Sequence, residues 1–402
     1  MLSARQLVLR NREFRRLFLA SVVSFAGDWF SFVAVASLVT ELTGRPGAAA
    51  FVYAATVLPV FLASPIAGIV ADRFDRKRVL VIADLVRVPL ALSLGLAAYW
   101  SSATLAIVAV TALAVGASFS DPIITAATPN LVEPDELATA QSLMGAVWGS
   151  MLMIGAGIGG LVAELLGRQA AFAIDAASFL GSAWLVAGIR RPMQLASTKD
   201  QPPEGLRDAI RYLRAHPLVM RLVFAKVAPS SANGVVGLLP AFATRRFAGT
   251  NIATGLLFAA RGLGAMVGPL LARGVVGATP GRRAVIAVCS VASLLYCAVY
   301  AALPFASVFA VALVLVFLAH LGGGSNWSMS TYGLQIETPD HVRGRVMALD
   351  YGLATLAIGI SSIGAGLLAD ALGEGVATWW LMAIGGAVSV AWTLWSVGPS
   401  RR

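Results

Sequence analysis

The stretch GIVADRFDRKRVL, residues 68–80, decides how this chain folds. Asp72, Arg73, Asp75, Arg76, Lys77 and Arg78 stand together in it, between two long runs that are almost entirely apolar. A charged turn between oily segments is what a hairpin of two membrane-crossing helices leaves outside the hydrocarbon. Runs long enough to cross about 30 Å of hydrocarbon fall at 15–42, 48–71, 79–100, 103–126, 138–166 and 169–189. A second set falls at 217–245, 250–276, 283–302, 304–331, 342–371 and 375–397. The pattern predicts an all-α membrane protein with twelve transmembrane helices.

Composition agrees. Of 402 residues, 58% are hydrophobic and only 12% charged, and the 40 glycines suit helices packed closely in lipid. The net charge of +10 raises the question of a nucleic-acid partner, but the bases form no single patch with interleaved aromatics. They recur in short clusters between apolar runs, so the expected partner is the lipid bilayer, and no nucleic acid is expected. If the N-terminus is cytoplasmic, the external loops keep only Arg45, Arg168, Arg245 and Arg246, and Arg87, Lys226 and Arg261 fall within spans. The positive-inside rule then places both termini in the cytoplasm of a multi-pass protein, expected in a bacterial inner membrane. The first apolar run is too long for a signal-peptide core.

Cys289 and Cys297 share one apolar run, about 12 Å apart along a helix, too far for a disulfide. They read as packing residues. His216, His320 and His341 are scattered, so no metal site is expected. The chain has no G-x-x-x-x-G-K-[ST] loop and no G-x-S-x-G turn, which argues against an ATP-driven pump and a serine hydrolase. No cofactor and no enzymatic activity are expected.

The two halves repeat. LVEPDELATAQSLM (131–144) aligns with IETPDHVRGRVMAL (336–349), placing Pro134-Asp135 over Pro339-Asp340, and GIVADR (68–73) aligns with GPLLAR (268–273). The predicted organisation is a six-helix half at 1–190, a cytoplasmic linker at 191–216 and a second six-helix half at 217–402. In the linker, Leu206, Ile210 and Leu213 alternate with Arg207, Arg211 and Arg214 as in a short amphipathic helix at the membrane surface. Duplicated halves of this kind are the architecture of transporters that rock around a central site.

Polar residues inside the spans fall into stripes at helical spacing. Span one carries Ser21, Ser24, Asp28 and Ser31; span four carries Ser118, Asp121, Thr125 and Thr128. Span seven carries Lys226, Ser230, Asn233 and Gly237; span ten carries His320, Gly324, Trp327 and Thr331. Asp28 lies about 20 Å along its helix, near the midplane. Low dielectric disfavours a charged carboxylate, so an acid there can take and release a proton; the other reading is a permanently protonated or ion-paired acid that only ties helices together. Arg261 at similar depth reads as a counter-ion for a carboxylate or an anionic substrate group, or as a fixed ion pair. Lys226 either functions in the cavity or snorkels, and His320 either relays protons or packs. Asp84 and Arg87, at i and i+3 on span three, are expected to neutralise one another. Asp175 is expected near the outer end of its helix in a cap-like or interfacial role, and Asp350 stays open. Trp29, Phe32, Trp148 and Trp327 could wall a pocket for a hydrophobic substrate or pack against lipid.

The charged turn resembles the major facilitator superfamily signature G-x-x-x-D-R-x-G-R-K/R between spans two and three, with Asp75 in place of the usual Gly. FAGDWFSFVAVASLVTELTG (25–44), LVEPDELATAQSL (131–143), GAGIGGLVAELLGRQAAFAIDAASF (155–179) and TPDHVRGRVMAL (338–349) resemble the twelve-span drug–proton antiporter branch that includes macrolide and enterobactin exporters. The resemblance implies the major facilitator fold, a central cavity lined by spans one, four, seven and ten, and a cytoplasmic gate. The gate would comprise Gly68, Asp72, Arg73, Arg76, Asp121, Arg343 and Arg345, with Asp72 against the N-terminal end of span eleven. Antiporters of the superfamily carry a Gly/Pro motif in span five; here Gly155, Gly157, Gly159 and Gly160 are present without the proline. The expectation is a monomeric, proton-coupled secondary transporter that exports an amphiphilic small molecule such as a drug, antibiotic or siderophore-like compound. An uptake permease and a non-transporting sensor or scaffold are the rivals.

Overall fold

The computed structural model describes residues 4–133, 136–194, 206–247, 249–276 and 281–397, and among these it is helical without strands. A short α1 (Ala4–Arg10) precedes α2 (Arg12–Thr43), whose start is set by Asn11: its side chain accepts the Phe14 N–H at 3.0 Å. Gly44 ends α2 at a φ of +63°, conformational space that costs glycine nothing. After α3 (Ala48–Arg73), α4 (Arg76–Tyr99) begins in the charged turn. Asp75 is its N-cap, accepting the Arg78 N–H at 2.8 Å, so the acid standing at the signature's glycine position satisfies a helix-end donor.

Next come α5 (Ala103–Leu131), α6 (Leu137–Leu165), α7 (Arg168–Ala187), the short α8 (Leu206–Ala215) and α9 (Pro217–Ser230). A 3₁₀ turn at Asn233–Leu238, a one-turn α10 (Leu239–Ala241) and a π turn at Phe242–Arg246 follow. The remaining helices are α11 (Asn251–Val276), α12 (Arg282–Ala302), α13 (Phe309–Glu337), α14 (Asp340–Leu372) and α15 (Glu374–Val397). Among the described residues, eleven helical segments are long and apolar enough to cross a membrane. The apolar stretch Ala48–Ala63 of α3 supplies a shorter twelfth. The chain is a multi-pass membrane protein.

Two expected spans differ in detail. Span seven is not one helix: α9 stops at Ser230, and Gly234 lets the following turn press against Ser361. The Gly234 N–H bonds the Ser361 hydroxyl at 2.9 Å, and a Cβ there would lie 2.5 Å from the Ser361 carbonyl carbon. Span ten starts at Phe309 rather than 304, because Leu303–Phe305, with Pro304 inside it, closes a separate 3₁₀ turn.

The chain forms two compact units. The first comprises residues 1–44, 58–198 and 248–259; the second comprises 45–57, 199–247 and 260–402. The small segment 248–259 joins the first unit because glycines let two backbones meet: a Cβ on Gly160 would lie 2.5 Å from the Asn251 carbonyl oxygen and 3.0 Å from Gly255 Cα.

The first unit buries Leu17, Leu80, Ile123, Leu131, Val186, Ile189 and Met193 in one cluster. Cations from the charged turn and from α2 bind backbone carbonyls of the unit. Arg76 donates to the carbonyls of Ala126 (2.8 Å) and Met193 (3.2 Å), Lys77 donates to Ile189 at 2.7 Å, and Arg16 donates to Gly188. Gly188 and Ile189 lie just past the end of α7, where carbonyls lack intrahelical partners and carry the negative end of the helix dipole, so basic side chains are stabilised there. Arg76 and Lys77 are therefore fixed parts of the unit as well as charges on its surface.

The second unit packs Val219, Leu222, Val223, Cys289, Met329, Leu334, Val346 and Trp392. The amphipathic α8 joins it through Leu213, which is buried, while Arg211 and Arg214 are exposed. Cys289 and Cys297 are free and buried.

Candidate functional site

In the first unit, one base and three acids meet among α2, α4 and α7. Arg87 on α4 is 2% exposed. Its guanidinium donates to Asp28 and, at 3.2 Å, to the Ser24 hydroxyl, both on α2. Asp84, one turn earlier on α4, lies 3.7 Å away. The guanidinium sits 3.9 Å from the centre of the Phe179 ring on α7, a favourable use of the ring face by a desolvated cation. Asp175, one turn before Phe179, is fully buried and accepts the Ser31 hydroxyl of α2.

The polar stripe of span one is thus real as a stripe, and three of its members bind α4 and α7 of the same unit. Ser24 and Asp28 hold Arg87, and Ser31 holds Asp175. Ser21 bonds its own helix at Leu17. The expectation of a cap-like Asp175 is corrected. It lies two turns inside α7, at i, i+3 and i+7 with Ser178 and Ser182, and that stripe was a signal available in the sequence. Asp84 pairs with Arg87 as its spacing suggested, but as one of two acids in contact with that base.

Asp28, Asp84 and Arg87 also line a cavity of about 50 Å³ bounded by α2, α4, α5 and α7. Trp29, Phe32 and Phe258 form an aromatic cluster with centroids 5.1–6.0 Å apart, Phe32 standing edge-on to the other two. Phe32 is buried and Trp29 partly so, while Trp148 is 44% exposed. The span-five glycines sit at helix crossings: Gly155 and Gly159 against Ala26, Trp29 and Phe30 of α2, and Gly157 and Gly160 against α11.

The second unit holds two separate polar groups. Lys226 on α9 and Asp350 on α14 form an ion pair, each with its side chain 2% exposed, so Lys226 does not snorkel. The ammonium lies 5.1 Å from the Trp327 ring, which meets Tyr351 edge-on at 6.0 Å. Nearby, Asn326 donates to the carbonyls of Ala225 and Cys289 and to the Ser293 hydroxyl. The second group surrounds the break in span seven. Arg261 donates to the Tyr53 hydroxyl at 3.1 Å; Tyr53 donates to Asn233 Oδ1 at 3.2 Å; Asn233 donates to the Tyr296 hydroxyl at 3.0 Å. Tyr296 packs edge-on to Tyr300, whose hydroxyl is 2.9 Å from Nε2 of buried His320. The tyrosines escaped the sequence reading because nothing in their spacing separates a hydrogen-bonded tyrosine from a packed one.

Of the expected gate, Arg76 binds carbonyls as described and Arg343 donates to Thr338 at 3.1 Å. Arg345 lies partly buried on α14, and Gly68 lies on α3. The side chains of Asp72, Arg73 and Asp121 lie outside the described residues.

Comparison with known proteins adds three findings. The family model for transmembrane secretion effectors matches residues 6–396. The chain is 29% identical to the multidrug efflux pump Tap of Mycolicibacterium fortuitum over 88% of each protein, and 26% identical to the uncharacterized MFS-type transporter YkuC of Bacillus subtilis. The YkuC match spans 58% of this chain and 57% of YkuC, less than two thirds of that relative. Among solved structures it resembles the nucleoside transporter NupG with a TM-score of 0.74, covering 95% of this chain and 99% of NupG at 12% identity, a likeness of fold alone.

Proposed function

The chain belongs to the transmembrane secretion effectors of the major facilitator superfamily, and we propose that it exports an amphiphilic small molecule from a bacterial cytoplasm in exchange for protons. It is a membrane transporter and not an enzyme. The single observation that carries proton exchange is the count of charges in the group around Arg87. Arg87 faces Asp28 and Asp84, and Asp175 lies one turn from the ring beneath it. One base compensates one carboxylate, and an uncompensated buried ion costs several kcal/mol. Proton binding relieves the surplus of negative charge. Asp28, whose side chain is 33% exposed against 6% for Asp84, is the member that exchanges protons with its surroundings.

The efflux pumps among its relatives support drug-like substrates and the outward direction. In this reading the six-helix halves 1–190 and 217–402 alternate about a central site, both termini are cytoplasmic, and the protein works as a monomer. The charged turn at 68–78 with Asp121, Arg343 and Arg345 closes the cytoplasmic side. Protons enter Asp28 from outside and leave to the cytoplasm.

Everted vesicles test the reading. A preset pH gradient, followed by a pH-sensitive dye, collapses when an exported amphiphile such as ethidium is added. Substrate moving with protons in the same direction would replace export with uptake. Folded protein with no flux of either kind, across a panel of amphiphilic compounds, would exclude transport of that class.

A further inference from the structure

We propose that the cavity in the first unit is a hydrated path that joins Asp28 and Asp84 to the end of the unit where the chain begins, and that protons leave through it without using the substrate route. This rests on the proton-coupled reading above. Three observations point to it.

The first is its course. On α2 the lining runs from Leu17 to Asp28, about 16 Å at 1.5 Å per residue. Leu80 near the start of α4 and Val186 at the end of α7 lie at the same end as Leu17; Arg87 lies at the other. The cavity therefore extends along the bundle, from the acids toward the face that carries the charged turn.

The second is its wall. Ser24, Ser120 and Ser182 line it beside Asp28, Asp84 and Arg87. Arg87 Nε and Ser120 Oγ are buried just behind that surface without a hydrogen-bond partner among the described residues. A lining this polar takes water in preference to an apolar occupant.

The third is its size. A water needs about 10–15 Å³ of such space, so 50 Å³ holds about three to five waters. Drug-sized ligands need pockets of about 300–1,000 Å³. The path accepts a file of waters and excludes the substrate. It also disfavours a resident metal cation, because the fixed charge of Arg87 stands on the same wall. A proton differs, since it is absorbed into a carboxyl group. In the release step a protonated Asp28 transfers its proton to the adjacent water, becoming a carboxylate paired with Arg87, and the resulting hydronium passes its proton down the file.

The test uses the full chain, whose two native cysteines are buried. Ser182→Cys places a thiol on the path; Ala183→Cys, beside it on α7 and, like Ser182, 4% exposed, is off it. With the small neutral thiol reagent methyl methanethiolsulfonate applied on the cytoplasmic face, Ser182→Cys is expected to react about tenfold faster than Ala183→Cys, since access sets thiol reactivity. Adding Ala117→Leu, which fills the lining, should bring it down to the Ala183→Cys rate. Equal rates without the filling substitution overturn the path. In proteoliposomes, Ala117→Leu should lose proton-driven ethidium movement and keep ethidium–ethidium exchange; Ala117→Ser should keep both. Loss of both activities, or of neither, in a variant that elutes like the wild type overturns the proposal. Flux driven by sodium and indifferent to protons does so as well. Wild-type protein without proton-coupled flux would instead overturn the coupled reading itself.

Discussion

Lys226→Met should be among the most destabilising single substitutions in the second unit, and the cost can be worked from the pair it breaks. Lys226 and Asp350 are each 2% exposed, and Asp350 Oδ1 already has no partner among the described residues. Removing the ammonium takes the partner of Oδ2 as well and leaves a buried carboxylate alone, a change that costs about 3–5 kcal/mol. Asp350→Leu strands the ammonium instead, but Trp327 remains 5.1 Å away, and a desolvated cation on a ring recovers up to about 2 kcal/mol. The expected order is therefore Lys226→Met worse than Asp350→Leu. The double variant Lys226→Met/Asp350→Leu, with no charge left to compensate, should return to within about 1 kcal/mol of the wild type. Reversible unfolding in mixed micelles of dodecyl maltoside and SDS, followed by tryptophan fluorescence, reads all four free energies. If the double variant is as unstable as the sum of the singles, uncompensated charge is not the cause. If Lys226→Met is silent, the pair is not buried.

Asp28→Asn should abolish proton-driven transport while substrate exchange persists, measured as ethidium counterflow against ethidium-induced pH collapse in everted vesicles. Gly160→Ala would set a Cβ 2.5 Å from the Asn251 carbonyl, and overpacking of this kind costs about 1–3 kcal/mol, readable by thermal unfolding in detergent. Asp75→Ala removes the cap on α4 and should cost about 0.5–2 kcal/mol in the same assay, while Asp75→Ser retains most of it.

The spans were legible because apolar length is a one-dimensional signal that the bilayer makes obligatory. Where the reading failed, the missing information was about neighbours. Periodicity put Ser24, Asp28 and Ser31 on one face of α2 but could not say that α4 and α7 supply Arg87 and Asp175 to that face. The place of Asp175 inside the bundle is written in its stripe with Ser178 and Ser182, which its nearness to the helix start obscures. The break after Ser230 was written in the sequence as Pro229, Asn233, Gly234 and Pro240, yet an average over a span-length window sees only hydropathy. Asp75 looked like a departure from a family pattern and proved to be a cap, a role that its position just before an apolar run already allowed. Asp350 stayed open for the same reason as Asp175: its meaning lay in Lys226, far away in the chain.

The two units differ in how they balance buried charge, and that difference bears on where coupling chemistry can live. In the second unit Lys226 and Asp350 cancel, and Arg261 meets tyrosine hydroxyls through Tyr53 and Asn233. A neutral pair has no electrostatic reason to bind or lose a proton, because either change leaves an ion uncompensated. In the first unit one base serves two contacting acids, with a third nearby, so a proton arriving removes excess charge and a proton leaving restores it. The cost of moving between those states is small wherever Arg87 can keep one carboxylate bound. In the proton-coupled reading Arg87 sets the number of protons the group holds, and Arg87→Gln should raise that number by one: ethidium binding persists while ethidium-induced pH collapse in everted vesicles is lost, and a retained pH response refutes it.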